Sequence, residues 1–511
     1  MKITIAGGAK RARTVGMAAA LAGALAVVPF MASAVADDIK MSPEAQVVPY
    51  DDSAFGADPS YEDKPYDPQA QLDIYGAKFA VDTTRPLLEL GRELYGSGPF
   101  NETSSALGQL NPMFSELYIY GDWRTAVAYN DNGAAEVGQI ATRLNLDIDY
   151  KFTSTERIHA FVRPLDQGGN FTNCEFFGPD EGDCDLNVDL NADALFFEGD
   201  AGAILAGFTG EYNSFDLPIS FGLMPLLFQN GIWVEDAFTG LAFSFPALNS
   251  RWLDISNYDI TFFAGLDKVS SAGVLDNDGL VADHNVNLYG VTTFADAMRG
   301  YFEFGYGFTD GEDGLDDQDY HNVAGAFTSR YGAWLSNSIR AIWSLGQSRD
   351  NNVQQNADGV IFLVENSFVT HLPSTLIPYA NFFAGFDRPQ SLARDGGAGG
   401  ILKNTGINFE TDGLTGFPKL DDTGRNTFGG ALGVEYLFSL DRQLVVEAAM
   451  VQVIEGRNEP GRPARGDEYA IGVRYQRPLD VAWIFRADAM HGWRVENENI
   501  AGVRIELRRK F

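Results

Sequence analysis

The segment Ile500 to Phe511 (IAGVRIELRRKF) has two faces of opposite character. Counting back in twos gives Phe511, Arg509, Leu507, Ile505, Val503 and Ala501, and the alternate set is Lys510, Arg508, Glu506, Arg504 and Gly502. Only an extended strand sends successive side chains to opposite sides, and a helix would spread these charges around its whole circumference. The pattern recurs along the chain. Leu144, Leu146, Ile148, Tyr150 and Phe152 interleave with Arg143, Asn145, Asp147, Asp149 and Lys151. Phe302, Phe304, Tyr306 and Phe308 interleave with Glu303, Gly305 and Gly307, and Tyr469, Ile471, Val473 and Tyr475 with Glu468, Gly472 and Arg474. Such runs extend over ~10 residues, against ~5–6 in ordinary soluble sheets. A greasy face and a charged face on long strands suit a wall between lipid and a wet lumen. The expected fold class is all-β, a transmembrane antiparallel up-and-down β-barrel.

The amino end directs export. Lys2, Lys10, Arg11 and Arg13 precede an apolar Ala-rich stretch from Val15 to Phe30, and Ala34-Val35-Ala36 supplies a small-x-small cleavage pattern. Residues 1–36 therefore read as a signal peptide, with Asp37 as the mature start. Residues 37–116 read as a periplasmic leader, polar and proline-containing at Pro49, Pro59, Pro65 and Pro68. Within it, the run from Pro86 to Arg92 suits either a helical turn or a docked plug. The barrel is expected over residues 117–511.

Charge and cysteine usage narrow the class further. The net charge of −33 excludes nucleic acid as a partner, since that needs a basic face. Hydrophobic residues reach 45%, yet mean hydropathy is only −0.13, because apolar and polar residues alternate instead of clustering. Cys174 and Cys184 lie in a turn-rich acidic stretch, and an even pair in an exported chain reads as a local disulfide.

Connection lengths alternate. Arg477–Asp480, Ser439–Arg442, His371–Thr375 and Ala295–Met298 are tight, whereas 456–466, 387–426, 347–358, 309–319 and 268–283 are long and polar. Short inner turns and long outer loops are what barrels of this kind show. A raw count of roughly nineteen strands from Leu117 must fall to an even number, so about 18 are expected, with 16 or 20 as alternatives. The weakest segment is Asn191 to Glu198.

Sites for chemistry are few. There is no G-x-S-x-G elbow, P-loop or H-E-x-x-H, and the histidines His159, His284, His321, His371 and His491 are scattered, so no enzyme is expected. The acidic runs Asp276–Gly279 and Asp310–Asp319 lack EF-hand spacing. No cofactor or resident metal is expected there, only divalent ions held loosely between outer loops and lipopolysaccharide phosphates. The lumen face is the candidate site, comprising Arg143, Asp147, Asp149, Arg474, Arg486, Asp488, Arg494, Arg504, Glu506 and Arg508. A wall carrying both signs either screens solutes by charge or forms a lattice of ion pairs that merely satisfies the lumen. The stretch 387–426 is long enough to fold inward as a constriction or to remain an outer loop.

Two resemblances follow from these residues. The tail, through Gly502, Ile505, Leu507 and Phe511, resembles the carboxy-terminal assembly signal of bacterial outer-membrane barrels, with Arg509 as a departure. From Leu117 to Phe511 the chain resembles outer-membrane porins. Among them it is similar to the alginate-export type, on Gly222 to Asp236 (GLMPLLFQNGIWVED), with Gly222-Leu223-Met224 in place of that family's Gly-Arg-Gln. The resemblance implies an 18-stranded barrel with a charged lumen. It also implies outer-membrane location, the barrel assembly machinery, membrane lipid and lipopolysaccharide as partners, and passive passage of a small hydrophilic or anionic solute, oligosaccharides included. The rival readings are a barrel sheathing a secretion or electron-transfer partner, and an outer-membrane hydrolase.

Overall fold

The computed structural model describes residues 84–91, 115–153, 155–276, 278–282, 284–349, 353–410, 413–438, 441–454 and 461–511. The chain divides into two compact units, Met1–Lys78 and Phe79–Phe511, and every described residue belongs to the second. The expected signal peptide and most of the leader lie outside the described residues.

The second unit is a closed antiparallel barrel of 18 strands. The strands of its first half are β1 Glu116–Asp131, β2 Glu136–Lys151, β3 in two pieces (Arg157–Val162 and Asn170–Phe177), β4 Ala192–Asp200, β5 Pro218–Phe228, β6 Val234–Ser250, β7 Ile255–Asp267, β8 Val286–Ala297 and β9 Gly300–Gly311. There follow β10 Tyr320–Tyr331, β11 Leu335–Leu345, β12 Asp358–Phe368, β13 Leu376–Arg388, β14 Thr427–Phe438, β15 Arg442–Val453, β16 Glu468–Pro478, β17 Trp483–Arg494 and β18 Ile500–Lys510.

Each strand pairs with the next, and β18 closes on β1 from Ala501↔Asp131 to Lys510↔Asp122. At the seam Gly121 N donates to Phe511 O (2.9 Å) and Phe511 N to Gly121 O (3.1 Å), so the last residue of the chain completes the ladder. Leu88–Leu90 pairs with Leu117–Ile119, which makes those three residues of the leader a short strand where a helical turn was one expectation.

Burial follows the period-two pattern. Val503, Ile505 and Leu507 face outward and are exposed, while Arg504 and Glu506 on the other face are buried. Arg509 points outward too, and its guanidinium lies 5.7 Å over the Trp483 ring at the inner rim, where a long cationic side chain reaches water.

The odd raw strand count came from the stretch 191–247. Asn191 to Glu198 is not the weak segment it seemed, because Ala192–Asp200 is a genuine wall strand, paired on both sides. The apolar stretch there that is not a strand is Ala201–Thr209, an α-helix (α1). Its N-cap Asp200 accepts from Ala203 N, and Gly210 ends it in the left-handed region at φ 74°. α1 lies in the connection from β4 to β5. Cys174 and Cys184 are joined in a disulfide.

Candidate functional site

The lumen is occupied by the connection between β13 and β14. The described residues of 389–426 leave the rim and fold inward, which decides between the two placements the sequence left open. Leu392 N donates to Trp233 O (2.9 Å), Arg394 N donates to Ser270 O (2.7 Å), and Ala393–Arg394 pairs with Val234–Glu235 of β6. The chain then crosses to β15, where the Glu447 carboxylate accepts from Ile407 N, Asn408 N and Asn408 Nδ2 at 2.8–2.9 Å. Next it reaches β1 and β2, where Asn130 and Gln139 donate to Thr415 O at 2.6 and 2.8 Å.

Loop residues Leu392, Ile401, Leu402, Phe409 and Leu420 pack with wall residues Trp233, Phe263 and Ile361 in one buried apolar cluster. Glycines on the lumen face make room for it. A Cβ on Gly307 would run into the Leu392 side chain, and one on Gly502 would lie 2.7 Å from Pro418 Cδ. Side chains at those positions would push the loop off the wall.

Beside the loop stands an arginine wall, built because β1, β2, β16, β17 and β18 place charged residues at matched heights. Arg124 lies opposite both Arg143 and Arg508, Arg474 opposite Asp488, and Arg486 opposite Glu506. Asp488 is the hub. It accepts from Arg474 Nε (2.6 Å), Arg486 Nε (2.8 Å) and Arg504 Nη2 (2.7 Å). Arg124 grips Glu506 with two bonds of 3.0 and 2.7 Å, and Arg508 lies 2.8 Å from Asp122. The lumen loop adds Glu410, which pairs with Arg474 and approaches Arg486 to 3.5 Å.

Arg143 differs from its neighbours. Its Nε donates to Asn145 Oδ1 (2.8 Å) and its guanidinium sits 5.5 Å over Phe171, but among the described residues no carboxylate reaches it.

Six of the residues singled out in the sequence thus converge on this wall: Arg143, Arg474, Arg486, Asp488, Arg504 and Glu506, with Arg508 at its inner edge. Asp147 and Asp149 do not join it. They sit nearer the inner end, where Asp149 accepts from Tyr120 Oη (2.7 Å), bonds His159 Nδ1 (2.7 Å) and lies 3.5 Å from Arg157. Asp147 is 3.3 Å from His159 Nε2. Arg494 stands apart as well. It stands at the outer rim, where it donates to Glu498 O (2.6 Å) and Asn132 O (3.2 Å) and pins two outer turns together.

The sequence reading missed Arg124, Asp122 and Glu410. The first two carry a signal, since they alternate with Trp123 and Thr125 on β1, but Glu410 carries none. His159 and His284 do not meet, for His284 lies in an outer loop 2.8 Å from Asp267.

Asp421 anchors the return limb of the loop. Its buried carboxylate accepts from Thr423 N (2.9 Å), Thr423 Oγ1 (2.7 Å) and Ala464 N (3.1 Å), yet burial pushes its pKa above the usual carboxylate value. A carboxyl with a raised native pKa holds its proton more tightly folded than unfolded. Its contribution to stability is therefore complete below the unfolded value, near 3.9, and falls as pH rises through the higher native one. Asp421→Asn is expected to flatten the pH dependence of the unfolding midpoint above about pH 4. A slope as steep as the parent's would assign it to another group.

No protein-family model and no curated protein matches the chain. The fold is that of the outer-membrane porins. Pseudomonas aeruginosa OpdK, solved with vanillate, aligns at TM-score 0.50 and 12% identity over 77% of this chain and 98% of its own. P. aeruginosa OccK8 (OprE) aligns at 0.49 and 11%, and OccK2 (OpdF), solved with glucuronate, at 0.48 and 10%, each over 77% of this chain and 98% of its own. At such identities the likeness is one of fold.

Proposed function

We propose that the barrel is an outer-membrane channel, not an enzyme, and that small anionic solutes pass through it between the lumen loop and the arginine wall. The observation that carries this reading is Arg143, a lumen cation with no carboxylate partner among the described residues, opposite Arg124 at the edge of the arginine wall. Preformed guanidinium groups recognise carboxylates by paired, charge-assisted bonds, and an incoming acid finds its counter-charge already in place. The acidity of the whole chain does not oppose this, because the local field in the lumen is set by the wall. Vanillate, carried by the OpdK structure, is an acid of the class we have in mind.

A loop crossing from β6 to β1 suits short acids better than a threaded polymer such as a polyuronate, and it leaves little room for a sheathed partner. Membrane lipid, lipopolysaccharide and the assembly machinery belong to this reading as partners, with the tail from Gly502 to Phe511 as the assembly signal and loosely held divalent ions at the outer loops.

The test is single-channel recording in a planar bilayer. Anion-selective conductance, blocked in a graded way by vanillate, is expected, and absence of conductance would sink the channel reading. Glu410→Gln removes the loop carboxylate that competes for Arg474 and Arg486. Since this pair is partly exposed, the gain should be about 1 kcal/mol, or about fivefold tighter block. Unchanged block would place the solute elsewhere.

A further inference from the structure

The wall is split between β4 and β5. β5 pairs with β4 only from Pro218↔Asp200 to Leu223↔Leu195. Beyond that point Met224–Phe228 keep their partners on β6, from Met224↔Phe238 to Phe228↔Val234. On the other edge they meet no backbone partner among the described residues. Pro225 suits such an edge, because it has no N–H to leave unpaired.

The chain that would have filled the gap goes the other way. Cys184 and Asp185 pair with Cys174 and Asn173 on β3. Asn187 N donates to Thr172 Oγ1 (3.1 Å), and Thr172 Oγ1 to Asn187 O (3.0 Å). The Cys174–Cys184 disulfide fixes that end to β3. From Leu186 to Asn191 the backbone forms no strand. β4 and β5 therefore part toward the outer end of the barrel.

The rim of this split is apolar. Leu186 and Leu190 are 74% exposed and Val188 is exposed beside them, and on the facing lip Leu227 is 62% exposed. These continue the lipid-facing surface of Leu195, Phe197 and Phe221. Behind the lips the lumen side is apolar as well, for Met224 is fully buried and Leu226 and Phe228 pack with Trp233 and Phe263. At hydrocarbon depth, irregular backbone stands only where it is buried in protein or lines a cavity open to water. A parted edge with exposed apolar lips breaks the strand ladder on the lipid-facing surface as a fenestration.

We propose that the split is a lateral port through which aliphatic acids dissolved in the outer leaflet enter the lumen. The tail slips between Leu190 and Leu227, and the carboxylate turns toward Arg143 on β2. The disulfide keeps the port open by holding residues 184–187 on β3, away from the free edge of β5. This assignment rests on the channel reading for what happens to the acid once inside.

Two measurements on the full chain in phosphatidylethanolamine nanodiscs test it. A diazirine-bearing hexadecanoate, photolysed and mapped by mass spectrometry, is expected to label the half-buried, lumen-facing Phe228 as well as the outward Leu227. Labelling confined to outward residues would overturn the port. Hydrogen exchange should show the amides of 224–228 opening at least tenfold faster than those of β15, and equal protection would mean a closed wall. In the Cys174→Ser/Cys184→Ser variant the amides are expected to slow and the Phe228 adduct to fall. No change there overturns the clamp. Lumen-face adducts without anion conductance would support the port and sink the channel reading; conductance without such adducts would do the reverse.

Discussion

Replacing residues 391–424 with a short Gly–Ser linker is expected to raise single-channel conductance several-fold and to abolish block by vanillate. A barrel of 16–18 strands leaves a continuous aqueous bore unless something is put into it. Here the filler is one loop, held by backbone bonds to Trp233 and Ser270, by the Glu447 carboxylate and by Asn130 and Gln139. Its removal strips Leu392, Leu402 and Phe409 from the apolar cluster and exposes Trp233, Phe263 and Ile361 to water. The wall should survive, because its backbone bonds run from strand to strand around a closed sheet and none of those ladders uses the loop beyond the two residues paired with β6. Far-UV circular dichroism checks that survival. Conductance equal to the parent's, in a variant that remains folded, would show that ions take a path the loop does not narrow.

How much of this was legible in the sequence depends on depth and partner, not on parity. Period-two alternation is forced on every wall strand that separates lipid from water, so the faces of Val503, Arg504, Ile505 and Glu506 could be read directly. The even strand count and the sorting of short and long connections follow from both barrel ends lying on one side. β4 was harder, because adjacent Phe196 and Phe197 break the alternation, and the apolar α1 that follows mimics another strand. Arg494 and Asp149 were read onto the lumen face, with no height along the wall assigned to either. Nothing in a two-residue period tells the rim from the middle of a wall. The lumen loop was legible only as a space, through Gly307 and Gly502 on the inward face. Glu410 could not be found at all, since its partner Arg474 lies 64 residues away and nothing local marks it.

Asp488→Ala is expected to be the most damaging single change in the wall. Asp488 is buried and holds Arg474, Arg486 and Arg504 together, with Arg504 itself only 1% exposed. Breaking a buried pair by removing one partner costs roughly 3–5 kcal/mol, because the surviving charge keeps its desolvation penalty without its counter-charge. Three guanidiniums would then repel one another across β16, β17 and β18, and Glu410 and Glu506 could neutralise only part of that. Asp488→Asn keeps the volume and one acceptor while removing the charge, so it should be destabilised less, measured as the denaturant midpoint in detergent. The two variants should agree on a different readout. Each removes one negative charge from the arginine wall, so in both the reversal potential under a salt gradient should move toward the anion equilibrium value. If Asp488→Asn folds as the parent does and leaves the reversal potential unchanged, ions do not pass the arginine wall, and the cluster serves only to hold β16, β17 and β18 in register.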